Sequence, residues 1–119
     1  MSQETGVLFD LRELKAGIVA ISLGENVLGG NEALNFSSKL IELNRNKVKN
    51  VIIDLQNVKM INSSGIGMLV SGLTTLRKND ANMILVGLTD KIKSIMKMTH
   101  LDQVFSSFEN IEDALKNIG

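Results

Sequence analysis

The chain has 119 residues, 44% hydrophobic and 3% aromatic, which suits one domain with an aliphatic core and excludes a disordered chain. Lys plus Arg and Asp plus Glu number 13 each, so the formal net charge is zero, and neither nucleic acid nor a membrane surface is implied as a direct partner. With no Cys and one His, a disulfide framework, thiolate chemistry and a metal site of the usual zinc ligands are excluded.

In chain order, Met1-Ser2-Gln3-Glu4-Thr5-Gly6 lacks the basic start and apolar run of a secretion signal. No apolar run approaches the ~18 residues of a membrane span, so the expected location is the cytoplasm. Val7-Leu8-Phe9-Asp10-Leu11-Arg12 reads as a first strand, and Ile18-Val19-Ala20-Ile21-Ser22-Leu23 as its hairpin partner across a turn at Ala16-Gly17. Gly24 to Gly30 forms a glycine-rich loop. It lacks the lysine of a phosphate-binding loop, so a connection is favoured over a nucleotide cradle. Gly30 or Asn31 then caps a helix running to about Asn46, with Ala33, Phe36, Leu40, Ile41 and Leu43 as its apolar stripe.

Val51-Ile52-Ile53-Asp54-Leu55 reads as a buried strand. A second helix follows, with apolar residues at Ile66, Leu69, Val70, Leu73 and Leu76. Asn82 to Gly87 is another buried strand, and Thr89 or Asp90 opens a short helix carrying Ile92, Ile95 and Met96. Val104-Phe105 reads as an edge strand. Ser106 and Glu109 match a capping box for a last helix that turns Ile111, Ala114, Leu115 and Ile118 inward. The order implies one α/β domain over residues 1–119. It has a mixed sheet of about four to five strands, with about four helices packed mainly on one side.

The chemistry concentrates at Asn62-Ser63-Ser64-Gly65-Ile66-Gly67-Met68, where strand gives way to helix. A helix start tolerates added negative charge, because its first N–H groups are free and its dipole end is positive. Ser63 is therefore a candidate phosphate acceptor; the competing reading makes it only the helix cap. The small residues Ser64, Gly65 and Gly67 would let a partner approach the backbone. Met68 lies off the apolar stripe and reads as an exposed contact, the other methionines mostly as core. Asp54, at a strand end, could order the loop. A serine hydrolase is disfavoured, since G-x-S-x-G is missing and His100 is the only candidate base. No cofactor is expected.

Val51-Ile52-Ile53-Asp54-Leu55-x-x-Val58-x-x-Ile61-Asn62-Ser63-Ser64-Gly65-Ile66-Gly67-x-Leu69-Val70 resembles the STAS domain, specifically the bacterial anti-sigma factor antagonists. Ile95-Met96-x-Met98-Thr99-His100-Leu101-Asp102-x-Val104-Phe105 is similar to the same family. The resemblance implies that Ser63 is phosphorylated by a serine kinase that is itself the anti-sigma factor. The unphosphorylated protein would bind that kinase, and a phosphoserine phosphatase would restore the bound state. Asn62, Ser64, Gly65, Gly67 and Met68 would line the contact. Asn62 stands where the family usually has Asp; it keeps the shape and the hydrogen-bonding oxygen and loses the charge. The expected state is a monomer or a weak dimer. Two rivals remain at this point: a STAS scaffold in a transport or signalling complex without phosphorylation, and a nucleotide-binding protein using the Gly24–Gly30 loop.

Overall fold

The computed structural model describes residues 9–118, so Val7 and Leu8 of the expected first strand lie outside the described residues. In chain order the elements are β1 (Phe9–Lys15), β2 (Ile18–Leu23), β3 (Asn26–Val27), α1 (Asn31–Arg45), β4 (Asn50–Asp54) and β5 (Met60–Ile61). Then come α2 (Ser63–Lys78), β6 (Asn82–Val86), α3 (Asp90–Met98), a 3-10 turn (Leu101–Gln103), β7 (Ser106–Phe108) and α4 (Ile111–Ile118).

Five strands pair in the order β1-β2-β4-β6-β7. β1 runs antiparallel to β2 through the turn at Gly17, where φ is 81° and a left-handed backbone favours glycine. The remaining pairs are parallel, as strand–helix–strand crossovers require. Both faces of the central strands are covered, which explains the unbroken apolar runs in β4 and β6. Val51, Ile53, Met83 and Leu85 face the larger core with Phe36 and Leu40 of α1, Leu69, Leu73 and Leu76 of α2, and Ile92 and Met96 of α3. Ala20, Ile52, Ile84 and Val86 face Ala114 of α4 on the other side. Three of the four described helices thus share one face, as the sequence pattern implies.

Three expectations are corrected. Ile41 is 44% exposed, because the buried stripe of α1 runs through Phe36, Leu40 and Leu43 instead. The edge strand is Ser106–Phe108 rather than Val104-Phe105, since the 3-10 turn delays its start and Phe105 plugs into the larger core. Ser106 therefore pairs with Ile84 in the sheet and opens no helix. Asn110 does so, accepting the Asp113 amide at 2.8 Å.

Candidate functional site: an exposed serine pair at the start of α2

The site begins at the end of β4. Asp54 is 6% exposed; its carboxylate accepts the Gln56 amide at 3.0 Å and the Gln56 Nε2 at 3.2 Å. These bonds tie Asp54 to Gln56 in the turn that leaves the sheet. They do not reach Ser63. The chain then forms β5, which pairs in parallel with β3: Asn26 lies opposite Met60 and Val27 opposite Ile61. The Glu25 carbonyl accepts the amides of Lys59 and Met60 at 2.8 and 2.9 Å, fastening the ribbon at one end. A segment expected to be a simple glycine-rich connection is therefore a packed strap. Its signal in the sequence is the short apolar step Val27-Leu28 among the glycines.

Asn62, extended at φ −113° and ψ −176°, caps α2: its side chain accepts the Gly65 amide at 2.8 Å and its carbonyl the Ile66 amide at 2.9 Å. This removes the reading in which Ser63 serves as the cap. Ser63 and Ser64 are both exposed, and neither side chain makes a hydrogen bond among the described residues. The first turns of α1, α3 and α4 carry Glu32, Asp90, and Glu112 with Asp113; the first turn of α2 carries no acid. The positive end of α2 is thus left uncompensated by any carboxylate of its own first turn.

The remaining candidates divide. Gly65 is buried, and a side chain there would run into the Val27 carbonyl; its lack of a side chain serves packing against the strap, not the approach of a partner. Met68 is 8% exposed and belongs to the larger core, which corrects its reading as an exposed contact. The reason is a second covered flank of α2 beside the expected stripe, along Gly65, Met68 and Gly72: Gly65 lies against the strap, and Gly72 against Phe36 and Leu40 of α1 and Met83 of β6. Gly67 behaves otherwise: it is exposed, and a Cβ built there has nothing within 4 Å. Packing gives no reason for a glycine that costs the helix roughly 1 kcal/mol.

Residues missed by sequence reasoning are Leu28 and Met60. They point outward from the ribbon while Val27 and Ile61 point inward, and are 42% and 52% exposed. With Asn26 and Asn62 they make a half-apolar outer face that leads into Ser63. His100 is exposed at φ 62° and its side chain makes no hydrogen bond among the described residues. Among the described residues no group of three or more acidic or imidazole side chains could hold a metal ion. No described helix is long and apolar enough to cross a membrane.

Residues 12–114 match the profile of the STAS domain. The chain belongs to the STAS family. Over 73 residues this STAS domain is 26% identical to an anti-sigma-B factor antagonist of Staphylococcus aureus, covering 61% of this chain and 68% of that one. The Bacillus cell fate determinant SpoIIAA in its phosphorylated form superimposes with a TM-score of 0.73 at 16% identity, over 93% of this chain and 99% of that one. The murine anion transporter Slc26a9 matches with a TM-score of 0.70 at 19% identity, over 87% of this chain and 18% of the transporter. At such identities the structural likenesses establish the shared fold alone.

Proposed function

We propose that this STAS domain is an anti-sigma factor antagonist whose partner binding is gated by phosphorylation of Ser63. One observation carries the reading: an exposed hydroxyl, released from capping by Asn62, stands on a first helical turn that lacks a carboxylate. The protein contributes a positioned nucleophile and no catalytic group. A serine-kinase anti-sigma factor would supply ATP, metal and base. Ser63 Oγ forms the new bond to the γ-phosphorus, the bond from that phosphorus to the bridging oxygen breaks, ADP leaves, and the hydroxyl proton passes to the kinase base. A phosphoserine phosphatase returns the hydroxyl by hydrolysis.

Unphosphorylated, the domain would hold the kinase through Ser64, Gly67 and Asn62, with Leu28 and Met60 adding apolar contact. Phosphate brings about −1.5 to −2 charges at pH 7. The start of α2 accepts that charge locally, but a partner docked over a neutral surface must then bury or pair it. A penalty of roughly 1–3 kcal/mol weakens binding about five- to a hundredfold, enough for a switch without refolding.

The relative named an anti-sigma-B factor antagonist supports this reading. The likeness to a transporter's domain favours a second one, a constitutive scaffold in which Ser63 has no chemistry. Incubation with ATP and the serine kinase recovered on the immobilised domain separates the two by intact mass. Gain of one phosphate by the parent, and none by Ser63→Ala, supports the switch; no gain by either leaves the scaffold.

A further inference from the structure

We infer that Gly29 is a positioning residue for Ser63, an inference that rests on the phosphoacceptor reading above. Gly29 is buried at φ 83°, and a Cβ built on it would lie 2.6 Å from the Ser64 Cβ and 3.2 Å from the Ser64 carbonyl carbon. Two residues earlier, the Val27 carbonyl accepts the Asn62 amide at 3.4 Å and fills the space beside the Gly65 Cα. The strap therefore touches the start of α2 at Asn62, Ser64 and Gly65. Ser63 lies between these points, and its hydroxyl is left free.

The arrangement clamps the residues on either side of the acceptor and leaves the acceptor open. The strap in turn is tied to the chain before α2, through the β3–β5 pairing and the Glu25 carbonyl. The height of Ser63 above the outer face of Leu28 and Met60 is thereby set by how closely Gly29 approaches Ser64. A methyl group at 29 meets the rigid first turn of α2, not the far end of a flexible side chain, so one side must move. In-line phosphoryl transfer is sensitive to displacements of a fraction of an ångström.

Gly30 supplies the control. Its φ is also positive, 71° with ψ −137°, yet a Cβ there meets nothing within 4 Å. Gly29→Ala and Gly30→Ala thus both put an alanine at a strained positive φ, and only the first also presses on α2.

The test measures kcat and KM for Ser63 phosphorylation, with the kinase recovered on the unphosphorylated domain, for both variants. It repeats the Gly29 change in a Ser64→Gly background and follows amide exchange in each protein. Gly29→Ala is expected to lower kcat roughly tenfold with KM within about twofold, and Gly30→Ala to change kcat by less than about twofold. In the Ser64→Gly background most of the Gly29→Ala loss should vanish, because the two side chains no longer meet. Exchange in Gly29→Ala should quicken at Asn62, Gly65 and Ile66, whose amides are bonded at the helix start, while Ile52 and Leu85 in the sheet stay protected. Equal losses in both alanine variants, a loss confined to KM, an undiminished loss with Ser64→Gly, or quickened exchange throughout the sheet would each overturn the assignment. If the parent accepts no phosphate, the proposed function fails by itself, and the exchange pattern still decides whether Gly29 holds this helix start.

Discussion

Helices α2 and α3 begin on the same plan and then part company. In each, a polar cap accepts the amide of the third helical residue: Asn62 from Gly65 at 2.8 Å, Thr89 from Ile92 at 3.3 Å. At the first helical position α3 carries Asp90 and α2 carries Ser63. At the third, α3 buries the Ile92 side chain in the larger core, whereas α2 has Gly65 pressed against a neighbour's backbone. The start of α3 is complete in itself, with its own anion and its own apolar anchor. The start of α2 takes its packing from the strap and has a hydroxyl where the anion would stand. A helix end built to receive a transient charge differs in these two places from one built to stay as it is.

Alanine at the third position should give the largest effects, for opposite reasons. Ile92→Ala empties a packed site and is expected to cost about 3 kcal/mol. Gly65→Ala adds a methyl group against the Val27 carbonyl and is expected to cost about 3 kcal/mol by overlap. Urea midpoints check both; an unchanged midpoint for Gly65→Ala would remove the strap from the comparison. The first position comes next. Ser63→Asp puts on α2 the anion that α3 already has, and should weaken kinase binding about five- to a hundredfold while leaving the fold intact. Calorimetric titration reads this, and parent-like affinity would end the gating claim.

The caps should respond alike. Asn62→Ala and Thr89→Ala are each expected to lose about 1 kcal/mol by thermal unfolding, since both free the same amide. Gly67→Ala should move in the other direction. It is expected to raise stability by at most about 1 kcal/mol, because the helix gains a better former and the space is open. The same change should weaken partner binding if the kinase approaches the backbone there, and unaltered affinity would remove Gly67 from the contact.

Most of the fold was legible because the apolar periods are long. The runs in β4 and β6 and the stripe Leu69-Leu73-Leu76 declare themselves without tertiary knowledge. Short elements were less so. β3 has two residues, too few for any period, and only its pairing with β5 makes it a strand. Met68 was misread because one apolar stripe predicts one covered face, and a second flank of α2 is covered by the strap at Gly65 and by α1 and β6 at Gly72. The position of β7 was hidden by a 3-10 turn whose residues carry no strong local signal. At the site, the pattern showed where α2 begins, and Ser63 is exposed there. The division of labour was not legible, since Asn62 and Ser63 are both acceptable caps and only the extended backbone at Asn62 chooses between them.

The outward turn of Leu28 has a practical corollary. The chain contains no Trp and no Tyr, so it is nearly silent in ultraviolet emission. Leu28→Trp would place a lone fluorophore on the rim beside Ser63, in a half-exposed spot that already holds a large side chain. Its colour would follow the arrival and departure of a visitor in real time, and excitation at the red edge would separate it from tyrosine light contributed by that visitor.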